Sequence, residues 1–366
     1  PEGPLMTASS SARPSTVAQQ PIRAARPAIS IDGERQTVLE ASLLRYALTD
    51  SLDGMAHAEL CFGNWGGGET PGFQYFDRRL LDFGKALTVS LGSDNLFVGR
   101  ISAIAAEYPE AAPPEIRVHA EDRLQSLRMT RRSRTFDQAN LGRIARRIAS
   151  DHGLTPDIGV EGEAAPVIAQ LNQSDLAFLI DLARAADAEV RVIGDRLVVA
   201  RSGGGTALAL AWAGSLRRFE VVADLAHQRS AIVASGWDVK ERVGISHRAD
   251  VAAIRAELGN DEAGADILGR TLGARTDTIA HGCPATVAEA RQLAEASYRH
   301  AARSFVTGEG LCETDPRLRV GAALQLSGLG PLFDGRYRAI AVSHLFDPED
   351  GARSAFRCDR PGLGRR

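Results

Sequence analysis

A change in the spacing of apolar residues constrains this chain more than any other feature. Residues 86–91, 115–121 and 337–344 alternate apolar and polar side chains, as strands with one buried face do. Glycine and asparagine turn signals separate several of these short runs. The alternation occurs on both sides of a central stretch with helical spacing. We therefore predict two β-rich regions that flank a smaller mixed region.

The central stretch, residues 137–200, contains two predicted helices and a hairpin. In the first helix Leu141, Ile144 and Ile148 fall on one face, and the second begins after Ser174. Residues 189–200 indicate a hairpin. A longer helix is predicted over 285–304. Its apolar stripe comprises Val287, Ala290, Leu293, Ala294, Ser297 and Ala301.

These patterns predict a mixed α+β, β-rich fold. Residues 1–27 are rich in Ser and Pro without a period, so we expect a flexible N-terminal tail. Short strands separated by turns favour a first β-barrel-like domain over 28–135. A small α+β domain follows over 136–201. A second β-barrel-like domain is predicted over 202–366, with an inserted helical region at about 250–305.

Composition excludes several classes of protein. The 366 residues are 44% hydrophobic and 24% charged, with a net charge of −3, which is ordinary for a globular protein and gives no strong pull toward nucleic acid. No apolar run reaches the roughly 18 residues of a membrane span. The four cysteines, Cys61, Cys283, Cys312 and Cys358, are too scattered for a small disulfide-stapled protein.

Motifs for catalysis, metal or cofactor binding are weak. Glycine clusters at 66–68, 203–205 and 308–310 lack both the phosphate-loop spacing and a following helix. His281 and Cys283 form one close pair, whereas structural zinc usually needs two. No GxSxG nucleophile motif occurs. We therefore predict no catalytic, metal or cofactor-binding residues.

An arginine cluster, Arg143, Arg146 and Arg147, lies on the polar face of the first central helix. It indicates either a solvated face or a contact surface for a protein partner. Aromatic residues do not interleave with these arginines, so we expect no specific nucleic acid.

Three separated passages carry a resemblance to a known family. The first is Gln-Leu-Asn-Gln-Ser-Asp-Leu-Ala-Phe-Leu at 170–179, and the second is the Gly-Trp-Asp strand at 236–238. The third is the C-terminal run from 310 to 347. Across the three passages, the residues that carry the resemblance are Gln170, Ser174, Asp175, Phe178, Leu179, Gly236, Trp237, Asp238, Gly321, Gly335 and Tyr337. Together these passages resemble the phage late control gene D family and the hub portion of VgrG spike proteins.

The resemblance implies a structural, non-enzymatic role. Such proteins form the trimeric central hub of the baseplate in contractile tails and injection systems, with two similar β-barrel-like domains per chain. The expected partners are two further copies of the chain, the inner tube protein, a separate spike protein and other baseplate proteins, without a membrane. A separate spike is expected because no spike module follows residue 366. We expect assembly in the bacterial cytoplasm and residence in a virion or injection-system baseplate.

Two alternatives remain open at this stage. Tail tips often carry hydrolases that act on the cell wall, so a tail-associated hydrolase is the main alternative, and a carbohydrate-binding module is another. The kind of assembly also stays open among a phage tail, a tailocin and a secretion-type injector.

Two motifs give specific expectations. We predict that Trp237 is a core packing anchor in a strand of the second β-region, beside a close backbone approach at Gly236. We predict that Ser174 caps a helix whose first turn carries Asp175 and whose buried face carries Phe178 and Leu179.

Overall fold

The computed structural model describes residues 26–52, 54–66, 71–279 and 281–365. Strands dominate and helices are fewer, so the mixed α+β, β-rich class is confirmed. Most of the predicted tail, residues 1–25, lies outside the described residues.

The first β-unit, residues 28–121, is built on alternating side chains. Leu60, Leu87, Val89 and Val118 point into its core and are fully buried. Its elements are β1 (Ala28–Ile31), β2 (Glu34–Arg35), α1 (Thr37–Ser42), β3 (Leu43–Ser51), β4 (His57–Gly63), β5 (Trp65–Gly66), β6 (Gly72–Phe73), β7 (Ala86–Leu91), β8 (Asp94–Glu107) and β9 (Glu115–Glu121).

The mixed unit follows and has its own apolar core. Its elements are α2 (Gln125–Arg128), β10 (Arg131–Ala139), α3 (Leu141–Asp151), β11 (Thr155–Ile158), β12 (Ala165–Ser174), α4 (Asp175–Ala185), β13 (Glu189–Ile193) and β14 (Arg196–Ala200). Both predicted helices and the hairpin are present. Leu124 and Leu127 belong to this core, so the unit begins earlier than residue 136.

The remaining elements form a second β-unit and an insertion into it. In chain order they are β15 (Leu208–Ala211), β16 (Leu216–Ala223), β17 (Ala231–Asp238), β18 (Val243–Ala249), a 3-10 helix (Val251–Ile254), α5 (Arg255–Leu258), β19 (Glu262–Ala263), α6 (Gly264–Thr271), β20 (Thr276–Ile279), α7 (Val287–Arg303), β21 (Val306–Glu313), β22 (Ala323–Ser327), β23 (Gly335–Asp347), β24 (Gly351–Arg360) and β25 (Gly362–Leu363).

The insertion is larger than the predicted 250–305. Strands β17, β18 and β20 pair with one another in a separate sheet that packs on α7, so β17 is not a strand of the second β-unit proper. The stripe predicted for α7 is also corrected. Val287 is exposed, and four of the buried positions recur four apart, namely Ala290, Ala294, Tyr298 and Ala302; Ala296 and Arg303 are also buried.

The two β-units share one strand plan. Strands β3, β4, β9 and β8 lie side by side in that order, and β16, β21, β24 and β23 do the same. In each unit a further strand, β7 or β22, pairs with the first half of the long strand β8 or β23. The order along the chain is therefore repeated as well as the order in space.

Irregularities in the ladders recur at matching places. The pairing shifts between Leu43 and Arg45 in β3 and between Leu216 and Arg218 in β16. It shifts again after Ile101 in β8 and after Ala339 in β23. A bulge marks a fixed point in a ladder. Aligning the matching bulges therefore pairs each residue of one β-unit with an equivalent residue of the other.

A glycine turn strengthens this equivalence. Gly84 and Gly321 have φ of +77° and +79°, in the left-handed region that favours glycine. The Gly84 N–H donates to the Ile101 carbonyl at 2.8 Å, and the Gly321 N–H donates to the Ala339 carbonyl at 2.8 Å.

The two β-units join edge to edge within the chain. Strand β3 pairs antiparallel with β23, from Tyr46 opposite Phe346 to Ser51 opposite Ala341. The rings of Tyr46 and Phe346 stack across this junction with centroids 5.7 Å apart. One sheet therefore runs continuously through both units.

Candidate assembly interface

The motif at 170–179 forms the joint between β12 and α4. The Ser174 side chain accepts a hydrogen bond from the Ala177 N–H at 3.2 Å, and Asp175 lies in the first turn. Phe178 and Leu179 are buried in the core of the mixed unit. The predicted cap and the predicted buried face are both confirmed.

Asp175 lies at the centre of a buried polar network. Its carboxylate accepts hydrogen bonds from Arg134 at 2.8 Å and from Gln170 at 2.9 Å, and lies 2.9 Å from His152 Nε2. Gln170 in turn accepts a hydrogen bond from Arg134 at 2.8 Å. Since Asp175 is only 1% exposed and both of its oxygens are engaged, this arrangement suits a fixed joint better than an acid that meets a substrate.

The Gly-Trp-Asp motif lies at the end of β17. A side chain at Gly236 would collide with the Pro284 carbonyl, so the predicted close approach is present. Asp238 closes the following turn by accepting the N–H groups of Lys240 and Glu241 at 2.9 and 3.0 Å. The prediction for Trp237 is wrong: its side chain is 57% exposed. Strand alternation directs Gly236 toward α7 and Trp237 toward the opposite face.

The third motif lies in the second β-unit. Gly321 forms the turn described above, and Gly335 leaves room for the Arg360 guanidinium. The Tyr337 hydroxyl donates to the Phe333 carbonyl at 2.8 Å, and Arg360 stands over the Tyr337 ring at 4.7 Å. The three motifs thus lie in three separate units and do not converge on one site.

The arginines of α3 are paired or bonded. Arg146 contacts Glu161, Arg147 lies 2.9 Å from Asp151, and Arg143 donates to backbone carbonyls. Of the two interpretations left open, this favours a solvated face.

Sequence reasoning missed the two open strand edges. In the described part of the chain, β16 forms a ladder only with β21. Strand β8 pairs with β7 only up to Arg100, so within the described ranges residues 103–107 pair with β9 alone. Unpaired edges expose backbone groups that invite another strand. No sequence signal marks them, because openness depends on which strands become neighbours.

The two open edges match the two edges of the internal junction. By the bulge equivalence, β16 corresponds to β3 and the second half of β8 corresponds to that of β23. Phe219 then takes the place of Tyr46, and Tyr108 takes the place of Phe346. The aromatic pair that stacks across the junction therefore has an aromatic counterpart on each open edge.

The solvent-facing side of the long sheet carries compensated charges. Arg117 lies 3.2 Å from Glu59 and 3.0 Å from Glu107 in the first unit. Arg357 lies 3.5 Å from Glu309 in the second unit. This face is therefore hydrophilic without a dominant sign of charge.

The described residues contain neither a cluster of metal ligands nor a membrane-spanning helix. Within them, no group of three or more His, Cys, Asp or Glu side chains is placed to hold a metal ion. Over the same residues, no helix combines the length and the apolar character needed to cross a membrane.

A family model described as the Alg8 N-terminal domain matches residues 25–347, which include the first β-unit, the mixed unit and the second β-unit up to the end of β23. This chain belongs to that family. This match does not give the late control gene D family that the three motifs resemble. A comparison with curated proteins finds no match.

Solved structures similar to this family member share its fold. A 43 kDa tail protein of prophage MuSo2 from Shewanella oneidensis has a TM-score of 0.69 at 14% identity, over 92% of this chain and 98% of its own. A tail protein from Neisseria meningitidis MC58 has a TM-score of 0.68 at 11% identity, over 93% and 97%.

The same fold occurs in an injection system. The E. coli c3393 protein, a type VI secretion component similar to the T4 tail proteins gp27 and gp5, has a TM-score of 0.55 at 14% identity, over 92% of this chain and 78% of its own. The fold of this chain is therefore that of phage tail and injection-system proteins.

Proposed function

We propose that this chain is a structural component of a tail or injection-system baseplate, its central hub, and that it acts as a homotrimer. Three chains with two equivalent β-units each give six units around one axis. Such a ring would match a sixfold inner tube on one side and a threefold spike on the other. The duplicated strand plan with its matching open edges is the observation that carries this proposal.

The internal junction supplies a template for closing the ring. If β16 of one chain pairs with β8 of the next as β3 pairs with β23, Val222 lies opposite Ala105 and Phe219 lies opposite Tyr108. Each edge would then be covered by a second copy, and cyclic symmetry leaves no edge open. The barrel-like domains inferred from the family resemblance would become segments of one closed lumen.

Exposed aromatic rings favour this pairing. Tyr108 is 63% exposed at the end of the open β8 edge. The ring centroids of Phe73 and Phe76 lie 6.2 and 6.1 Å from the centroid of its ring. Burial of such rings is worth more than that of any other side chain at an interface. In the proposed register the neighbour's Phe219 would stack on Tyr108 as Tyr46 stacks on Phe346.

One pair of facing side chains is unfavourable in this register, but each of its members already has an arginine partner. Glu107 and Glu220 would face each other, and like charges directly opposite are unfavourable. Each already has an arginine partner in its own chain, Arg117 at 3.0 Å and Arg218 at 3.4 Å.

A non-enzymatic role is part of the proposal. It is supported by the tail-protein fold and by the saturated carboxylate at Asp175, which leaves the most polar motif without a free reactive group. Clearing of peptidoglycan in a zymogram by the purified chain would instead favour the cell-wall hydrolase.

Mass photometry tests the oligomeric state. We expect a species of about three times 39.0 kDa, either alone or after mixing with the tube and spike proteins. A monomer under both conditions would contradict the hub.

Disulfide cross-linking tests the register. In a Cys283→Ser background, Ala105→Cys with Val222→Cys should give dimers and trimers on a non-reducing gel. The internal equivalents, Thr49 and Ser343, have hydroxyls 3.1 Å apart.

Two controls accompany this experiment. Thr49→Cys with Ser343→Cys should close within the chain without raising its mass. Ala105→Cys with Val167→Cys, on the exposed ribbon of the mixed unit, should not cross-link. A trimer in mass photometry without the 105–222 cross-link would refute the register.

A further inference from the structure

A cleft of about 440 Å³ opens where the mixed unit, the insertion and the second β-unit meet. Its volume lies within the range of small-molecule sites. Six arginines contribute to its lining: Arg201, Arg299, Arg303, Arg336, Arg338 and Arg360.

The lining carries an excess of positive charge. Its carboxylates are Asp187, Glu257 and Asp359, so the formal balance is six positive charges against three negative. Further carboxylates, those of Glu189 and Asp261, contact two of the arginines but are not part of the lining. Glu295, which is also outside the lining, contacts Arg299 at 3.1 Å. With these three carboxylates counted, six arginines meet six carboxylates around the cleft, so positive groups exceed negative ones only among the side chains that line it.

One carboxylate serves several guanidinium groups. Asp187 receives the fork of Arg303 at 2.5 and 3.0 Å, while Arg299 and Arg201 lie 3.7 and 3.8 Å away. Arg201 and Arg299 thus lie near Asp187 without a close contact to it, and Arg299 also donates to Glu295 at 3.1 Å and to the Ala253 carbonyl at 3.0 Å. An added oxyanion would find donors already positioned.

Two other arginines have hydrogen-bonding capacity to spare. Arg336 is exposed, and among the described residues it donates only to carbonyls, at 2.7 Å to Gly203 and 3.3 Å to Gly205. Arg360 is 2% exposed, and its Nε–H has no acceptor among the described residues. A buried donor without an acceptor is costly, and a bound anion would relieve that cost.

We propose that this cleft binds a small, multiply charged oxyanion of the phosphate type. Two linked phosphate groups carry about three negative charges near neutral pH, so they offer several charged acceptors to Arg201, Arg336 and the Nε–H of Arg360. Their many oxygens suit planar guanidinium forks arriving from several elements. The glycines at 203 and 205 take no part as a phosphate loop, because their carbonyls point to Arg336. Such an anion would fasten three units together.

Calorimetry and thermal melting of the full chain with pyrophosphate test the proposal. We expect one pyrophosphate per chain and a rise in melting temperature that exceeds the rise with sodium chloride at equal ionic strength. Arg201→Gln and Arg336→Gln, both at exposed positions, should each weaken binding about tenfold, as loss of a charged hydrogen bond does.

The control variant is Arg146→Gln, an exposed arginine on α3 that should leave the affinity unchanged. Circular dichroism verifies that each variant is folded. Equal effects of pyrophosphate and sodium chloride would overturn the site, as would equal weakening by Arg146→Gln. Citrate binding as tightly as pyrophosphate would overturn the preference for phosphate. None of these outcomes depends on trimer formation.

Discussion

The first and second β-units place opposite charges at one equivalent position. Asp122 follows β9, is 8% exposed and accepts the N–H groups of Ala56 and Leu124 at 3.0 and 2.8 Å. Arg360, its counterpart at the end of β24, is 2% exposed and donates to two backbone carbonyls. Both buried charges fasten a neighbouring loop. The shared plan is therefore one of backbone pairing, and a buried side chain of either charge can serve it when it hydrogen-bonds to the backbone.

The units differ more in what connects their strands. A short loop links β3 to β4, whereas the whole insertion lies between β16 and β21. Through Arg303 and Asp187 the insertion ties the second unit to the mixed unit. We infer that the second unit depends more on buried ion pairs than the first, and four predictions test this difference.

The largest effect is expected for Arg338→Ala. Arg338 forks onto Asp359 at 3.0 and 2.6 Å and contacts Glu189 at 3.3 Å, and all three side chains are mostly buried. Removal leaves two buried carboxylates without their cation, which costs about 3–5 kcal/mol. Urea denaturation measures the loss in the free energy of unfolding, provided that the dependence of this free energy on urea concentration is unchanged.

The matched control is Arg100→Ala in the first unit. Arg100 stands opposite Glu121 as Arg338 stands opposite Asp359, but it is exposed and donates to the Gly84 carbonyl. Its removal should cost less than about 1 kcal/mol. Equal losses for the two variants would remove the proposed difference between the units.

The next effect concerns one cross-strand pair in each core. Leu60 faces Val118 in the first unit, and Gly310 faces Phe356 at the equivalent place in the second. A side chain at Gly310 would collide with the Phe356 ring, so Gly310→Leu should cost about 1–3 kcal/mol.

Adding Phe356→Val to Gly310→Leu recreates the Leu60–Val118 pair. The double variant should therefore cost clearly less than the sum of the single variants in a double-mutant cycle. Additive losses would show that the two cores are not interchangeable at this position.

A smaller effect follows from Asp122. Burial, together with the nearby Asp50, raises the pKa of Asp122 to about 7, although two backbone N–H groups oppose the shift. A carboxyl with a raised pKa stabilises the fold at low pH, and that stability is lost as the pH rises through 7. Relative to Asp122→Asn, the wild type should gain about 1 kcal/mol between pH 8 and pH 6.5.

The second unit provides the control for this titration. Arg360→Gln removes hydrogen bonds to the Asp334 and Leu332 carbonyls, so it should lower stability without changing the slope of stability against pH. A wild type whose slope equals that of Asp122→Asn would show that Asp122 does not titrate near neutrality.

The strands and long helices could be predicted from the sequence because local periodicity reports which face is buried. The duplication could not. Residues 96–104 and 332–340 share the pattern Leu-Phe-x-Gly-Arg-x-x-Ala-Ile, yet the bulges equate Ile101 with Ala339, two positions away from that match. A shift of two residues keeps every side chain on its face, so alternation alone cannot fix the register.

The interface was harder to predict than the fold. The cap at Ser174 is local and was found, whereas the open edges and the aromatic pair Tyr108 and Phe219 depend on which strands meet in space. The exposure of Trp237 was missed for a related reason: its strand was assigned to the main sheet, and it lies in the sheet of the insertion.

The smallest effect is therefore expected for Trp237→Ala. The indole lies on the solvent side of the insertion's sheet, opposite Gly244, and is 57% exposed. Substitutions at such surface positions change stability by less than about 0.5 kcal/mol. Its strand neighbour Ala234 is fully buried against α7, so Ala234→Asp provides a contrast that should cost several times more. A loss of more than about 2 kcal/mol in thermal or urea unfolding of Trp237→Ala would return Trp237 to the core. The sheet of the insertion would then be covered on both faces, and the insertion would not be the separate outer layer that distinguishes the second β-unit from the first.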